Sequence, residues 1–176
     1  MDKEIIETEI VPFTFLLPKK LEASEEGKKV LVILNSHLKP VKSGNDFIVP
    51  SFQASQSIMN ALHYARRTGR LIRGFEDAEK KLEAERTGIA EADKKTGIHR
   101  NGRVSRVAIV ANDGSERFYR QTKKLVKQNR PRVLTIHLDT TSFELGEMLF
   151  GKGKRALFLL INHKDAVINF LTALIR

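Results

Sequence analysis

The side chains that could do chemistry in this chain are oxygen and nitrogen groups only, because it contains no cysteine. Thiol nucleophiles, zinc–cysteine sites, iron–sulfur ligation and disulfide scaffolds are thereby excluded. The five histidines stand at 37, 63, 99, 137 and 163, and no two of them share a metal-ligand spacing. His137 and Asp139 fall two apart in an apolar run, which puts both on one face of a strand. That spacing suits acid–base work, but a histidine at a strand end is more often structural. No G-x-S-x-G nucleophile elbow occurs. Residues Gly146 to Gly153 read G-E-M-L-F-G-K-G, close to the phosphate loop G-x4-G-K-[ST]. The last position is Gly153, which has no hydroxyl for a magnesium ion, and the segment follows a helical pattern and precedes a strand pattern, the reverse of the required order. Nucleotide hydrolysis is therefore rejected. The chain is expected to be no enzyme, with no catalytic residue, metal ligand or cofactor.

Two segments remain as binding candidates. Gly151-Lys152-Gly153-Lys154-Arg155 is a basic turn whose glycines let backbone approach an anion. Taken alone, a capped helix end with solvated lysines explains it as well. Arg70 and Arg73 lead into Gly74-Phe75-Glu76-Asp77-Ala78-Glu79-Lys80, where Gly74 opens a helix. Free N–H groups at a helix start favour phosphate or a base acceptor. Glu76 and Asp77 can complement the helix dipole, or one of them can accept from a base edge while Lys80 touches phosphate.

Charge favours a polyanionic partner. The 176 residues carry 31 Lys+Arg against 21 Asp+Glu, a net of +10. Residues 1–56 hold seven lysines, no arginine and eight acids, a net of −1; residues 57–176 hold 24 bases and 13 acids, a net of +11. RNA, DNA or acidic lipid would complement such a surface. With 41% hydrophobic and 30% charged residues the composition is globular. The longest apolar run, near Ala156 to Ile161, is too short to cross a bilayer, and acids stand at the N-terminus where a signal peptide carries bases. An intracellular, cytoplasmic protein is expected.

The elements that must position these residues divide near Ser55. Residues 1–55 read as a β-rich extension: Ile10–Leu17 and Lys29–Leu34 are apolar runs, and Gly44-Asn45-Asp46 is a turn before Phe47–Pro50. Prolines at 12, 18, 40 and 50 argue for edges or loops. From Ser55 the period becomes helical, with Ile58, Ala61, Leu62 and Ala65 on one face, Ser55 or Ser57 as cap and Gly69 at the end. Residues 70–73 form a short strand, and a helix follows from Phe75 to about Arg86. Residues 87–102 read as a partly helical insertion or loop. Three β–α units close the chain. Their strands are 104–111, 131–138 and 155–161, and Asp113/Glu116 and Thr141/Glu144 are capping pairs. Alternating strands and helices imply an α/β fold with helices on both sheet faces.

The order of these pieces resembles the L-seven-Ae/L-thirty-e family of ribosomal RNA-binding proteins, in particular its bacterial YlxQ-type branch. The resemblance covers residues ~58–175. It is carried by A-R-R-T-G-R-L-I-R-G-F-E from Ala65 to Glu76, by V-A-I-V-A-N-D from Val107 to Asp113, by T-S-F-E-L-G from Thr141 to Gly146, and by Gly151-Lys152 with Arg155-Ala156. It implies a three-layer α-β-α sandwich around a mixed four-stranded sheet for the RNA-binding domain, residues 56–176; the β-rich extension 1–55 and the insertion at about 87–102 have no counterpart in it. It also implies binding of structured RNA, often a kink-turn. The family's guanine-reading helix start maps onto Gly74, Glu76, Asp77 and Lys80, and its second RNA-facing loop onto Gly151 to Ala156. Glu76 and Asp77 replace the family's asparagine and glutamate, and a carboxylate accepts but does not donate.

The combined expectation is a non-enzymatic protein that binds structured RNA, ribosomal or ribosome-assembly RNA, alongside ribosomal proteins. The expected surface comprises Arg70, Arg73, Gly74, Glu76, Asp77, Lys80, Gly151, Lys152, Lys154 and Arg155. Two alternatives stand beside it. One is the substrate-recognition partner of an RNA-modifying enzyme held on a separate chain. The other is a protein-interaction module docking through its N-terminal strands.

Overall fold

The computed structural model describes residues 16–42, 46–98 and 102–176. Two short helices come first, α1 (Lys19–Glu22) and α2 (Glu25–Ser36), then β1 (Leu38–Pro40) and β2 (Ile48–Phe52). Next come α3 (Gln56–Arg67), β3 (Leu71–Arg73) and the long α4 (Phe75–Thr96). The chain closes through β4 (Arg106–Val110), α5 (Glu116–Gln128), β5 (Val133–Leu138), α6 (Ser142–Phe150), β6 (Phe158–Ile161) and α7 (Lys164–Ala173). The strands form one open sheet in the order β1-β2-β5-β4-β6-β3. β2, β5 and β4 run parallel, and the remaining neighbours are antiparallel.

Strand alternation divides the core into two layers. Val107, Ile109, Leu134, Ile136, Leu138, Leu159 and Ile161 face one way, against α2, α3 and α7. Ala108, Val110, Val133, Phe158 and Leu160 face the other, against α4 and α5. Nearly all of these side chains are fully buried, which makes an α-β-α arrangement the only way to keep both sheet faces dry.

Two expectations are corrected. The sheet has six strands, because β1 and β2 add to the four that the resemblance implied. The N-terminal extension is not mainly β among its described residues: Lys29–Leu34 lies inside α2. Ser24 caps that helix by accepting from the Gly27 amide at 3.1 Å, and Val30 and Leu34, one turn apart, are buried while Val32 is 69% exposed. The β-branched run thus follows the helical period, not the strand period. Leu17, Leu21, Val30 and Leu34 belong to the same buried cluster as α3 and α7. Of the two readings of residues 87–102, partly helical or loop, the first is found: α4 continues to Thr96, and Gly97 ends it at φ 68°. The proposed strand over Ile10–Leu17 and the Gly44-Asn45 turn lie largely outside the described residues. Pro50 pairs only with β1, since β2 meets β5 through Ser51 and Phe52, so the missing proline N–H breaks no ladder bond to β5.

Candidate nucleic-acid interface

The two segments singled out from the sequence meet at one end of the sheet. β6 begins there at Phe158, and β3, antiparallel to it, ends there at Arg73. Arg73, Gly74 and Phe75 line one side of a cleft of about 500 Å³, and Gly153, Lys154 and Arg155 line the other. Phe118, Leu157 and Phe158 form its floor. Phe75 and Phe118 each pack edge-on against Phe158, with centroids 5.4 and 6.3 Å away, so the floor is a fixed aromatic cluster. Sequence reading missed these three phenylalanines, which are far apart in the chain and converge only because β6 lies between α4 and α5.

Gly74 is what turns the chain from strand to helix. Its φ of 106° and ψ of 144° are open to glycine but strained for any side chain. Its amide donates to the Phe158 carbonyl at 2.9 Å, which ties the helix start to β6. No side chain caps α4 among the described residues, and its N-cap Gly74 and first residue Phe75 line the cleft, so the positive pole of the helix lies at the cleft wall. Glu76, Asp77 and Lys80 are exposed on the outer side of the same turns, while Ala78 and Leu82 face the core.

The opposite wall is held by α6. Gly146 lies so close to the loop that an added methyl would overlap the Lys154 carbonyl oxygen and stand 2.5 Å from the Arg155 Cα. Gly151 and Gly153 take φ of 103° and 78°. Three loop amides already have acceptors within the protein: Gly151 donates to the Glu147 carbonyl, Lys154 to the Gly151 carbonyl and Gly153 to the Glu147 carboxylate. The backbone is therefore less available to an anion than glycine content alone suggested, and the side chains carry the charge. Lys152 and Lys154 are exposed and have no ion pair among the described residues. Arg155 is partly engaged, donating to Ser142 Oγ at 3.0 Å with Asp113 Oδ2 3.7 Å away.

Arg73 reaches over the Phe150 ring, 4.8 Å from its centroid, and Arg66 lies 5.4 Å from the same ring. This cation–π contact fixes Arg73 without neutralising it. Arg70 is not brought to the cleft. Its carbonyl accepts from Asn162, beyond the far end of β6, so Leu71 and Ile72 of β3 separate it from Arg73.

Asp113 does not cap its own helix. Ser115 does, accepting from the Phe118 amide, while Asp113 accepts from the Ser142 amide and hydroxyl at 2.9 and 2.8 Å. It thus joins the end of β4 to the start of α6 beside the cleft. Thr141 caps α6 as expected, but Glu144 accepts from the Thr140 hydroxyl instead of closing the box.

The hydrogen bonds of the His137 and Asp139 side chains go to other residues and not to each other. His137 Nδ1 lies 2.7 Å from Ser51 Oγ, a tie between β5 and β2, and its Nε2 is buried without a partner among the described residues. Burial pushes the His137 imidazole below its ordinary range, keeping it neutral near pH 7. Hydrogen bonds from Asn112 and Gln53 hold the Asp139 carboxylate below its usual range, and neither comes from His137. Among the described residues no three His, Asp or Glu side chains gather in a way that could hold a metal ion. No described helix is long and apolar enough to cross a membrane.

No known family matches the chain, and no curated protein matches it. Among solved structures it is similar to a protein of unknown function from Bacillus halodurans C, at 14% identity and a TM-score of 0.49 over 69% of this chain and 98% of that one. It is also similar to a 15.5 kD RNA-binding protein from Giardia lamblia, at 12% identity and a TM-score of 0.45 over 68% of this chain and 82% of that one.

Proposed function

We propose that the protein binds structured RNA without catalysis, through the cleft between the start of α4 and the Gly151–Arg155 loop. The ligand class is ribosomal RNA or a ribosome-assembly RNA, and the setting the cytoplasm. The observation that carries the reading is the convergence of an uncapped helix start, unneutralised cations and an aromatic floor on one cleft. Each of these meets a different part of RNA. Lys80, Lys152 and Lys154 meet phosphates, the amides of the α4 first turn meet phosphate or a base acceptor, and the partly exposed rings Phe75 and Phe118, backed by the buried Phe158, meet an unstacked base or ribose. Glu76 lies within the same turn and accepts from a base amine. Phosphate contacts supply most of the affinity and the helix start supplies shape selection.

The test separates positioning from reading. Neutralising about four phosphates gives a slope of log K against log salt of roughly −3 to −4, at about −0.7 to −0.9 per phosphate. Lys152→Glu with Lys154→Glu weakens all RNAs nearly alike and flattens the slope. Glu76→Ala costs about 1–3 kcal/mol on a preferred RNA and much less on others. RNA recovered by crosslinking to the protein supplies that preferred sequence. Salt-independent binding, or equal losses on every RNA for Glu76→Ala, would overturn the reading.

A further inference from the structure

The first cleft leaves most of the protein's positive charge unused, and a second cationic surface lies at the other end of the sheet. A recess of about 770 Å³ opens between the distal part of α4 and the chain entering β4 and β5. Seven of its lining residues are Lys or Arg and two are acids. Part of that charge is structural. Glu85 holds both Arg106 and Arg132, at 3.1 and 2.7 Å, with all three side chains less than a fifth exposed. That triad forms the recess wall. Of the other five cations Arg103 pairs with Glu22, while Lys19, Arg86 and Lys164 are exposed and without an ion pair among the described residues. They come from α1, α4 and the start of α7, three segments distant in sequence. Ile89, 37% exposed, and Pro131 give the recess an apolar side between these cations.

The geometry links the recess to the first cleft. β4 leads from Arg106 at the recess to Val110, which pairs with Phe158 at the cleft. α4 starts in the cleft at Gly74 and reaches the recess with Glu85, Arg86 and Ile89. From Phe75 to Arg86 the helix rises about 16 Å, at ~1.5 Å per residue. One continuous helix therefore carries two cationic surfaces at a fixed separation.

We infer that this recess is a second RNA-binding surface, which contacts a separate segment of the same RNA that occupies the first cleft. The inference rests on the functional reading above and extends it to residues that reading does not use. RNA suits the recess because its cations flank apolar side chains, the pattern that receives phosphate on either side of a ribose or base. Two contacts on one rigid body raise the effective concentration of the second RNA segment, so the pair binds more tightly than either alone.

The experiment titrates full-length protein with a 40-nucleotide hairpin RNA carrying an internal loop, across a salt series. It compares wild type, the cleft variant Lys152→Glu/Lys154→Glu, the recess variant Arg86→Glu/Lys164→Glu, and the neutral Arg86→Gln/Lys164→Gln. Loss of two phosphate contacts reduces the salt slope by about 1.4–1.8 and weakens binding about 15- to 30-fold at 0.15 M salt relative to a 1 M reference. The neutral pair is expected to lose that much and the reversal more, and the melting temperatures to stay near wild type because both side chains are exposed. If the cleft variant weakens binding while both recess variants stay within twofold of wild type with an unchanged slope, this inference is wrong and the functional reading stands. If the recess variants weaken binding and the cleft variant does not, the cleft reading is wrong and the recess remains. Recess variants that keep full RNA affinity but lose binding to a polyglutamate peptide would assign the recess to acidic protein instead.

Discussion

Gly146→Ala isolates the contact that sets the position of the basic loop. In a helix interior, alanine is more stable than glycine by about 1 kcal/mol. A residue chosen by propensity alone would therefore stabilise α6. The structure gives the opposite sign. The new methyl would stand 2.5 Å from the Arg155 Cα and overlap the Lys154 carbonyl oxygen. Carbon–carbon contacts are optimal at ~3.5–4.0 Å, so the loop must retreat by about 1 Å. Overpacking of this kind costs about 1–3 kcal/mol, which leaves a net loss of about 0–2 kcal/mol after the propensity gain. Gly88 is the control, a glycine inside α4 with nothing within 4 Å of its added methyl. Gly88→Ala is expected to stabilise by about 0.5–1 kcal/mol. Urea unfolding should therefore separate the two variants by about 1–3 kcal/mol, a melting-temperature difference of about 3–9 °C for a domain of this size. RNA affinity adds a second readout, because a 1 Å shift moves Lys154 and Arg155 relative to α4, and Gly146→Ala is expected to weaken binding at least threefold. If the two substitutions change stability equally within about 0.5 kcal/mol, within the scatter usual for exposed sites, the close approach that anchors the loop is refuted.

Three further outcomes follow from particular contacts. Glu85→Gln removes the one carboxylate holding Arg106 and Arg132 and should cost about 2–3 kcal/mol in urea unfolding, below the ~3–5 of a fully buried pair because these side chains keep some solvent; a change under about 0.5 kcal/mol contradicts it. Tyr119→Phe deletes a buried hydroxyl that donates to the Ala111 carbonyl at 2.6 Å and accepts from the Gly114 amide at 3.0 Å, leaving two buried groups unpaired at a cost of about 1–3 kcal/mol; an unchanged denaturation midpoint would show that water replaces both bonds. His137 binds its proton less readily folded than unfolded, so stability is full above about pH 6.5 and falls as pH drops through that value toward the lower folded pKa. His137→Gln should flatten the profile of stability between pH 7.5 and 5, and an identical slope in both proteins would assign the acid sensitivity elsewhere.

The parts of this protein that could be read from its sequence are those whose determinants lie within a few residues of each other. Ser55 and Thr141 cap the helices that follow them because a hydroxyl reaches an amide three residues on. Gly69 ends α3 with a positive φ, as its place after the last apolar position indicated. The strands of the three closing units are apolar runs buried on both faces, and they occur where the alternation placed them. The same local reasoning failed for Lys29–Leu34, where the five-residue apolar run Val30–Leu34 fits either period and the cap at Ser24 together with packing on α7 decided for helix. Past Arg86 it left helix and loop both open, since a polar helix extended over the recess shows no apolar period to mark it. The candidate site shows the limit most sharply. Sequence order located both basic segments, and it placed Arg70 and Arg73 together because they are neighbours in the chain. Antiparallel pairing of β3 with β6 sends those two arginines to opposite ends of a strand. The same pairing brings Gly74 to the loop some eighty positions away, with Phe75, Phe118 and Phe158 beneath. Charge and local conformation are properties of short segments. A cleft is a property of strand order, and strand order is settled by which apolar faces can be buried together.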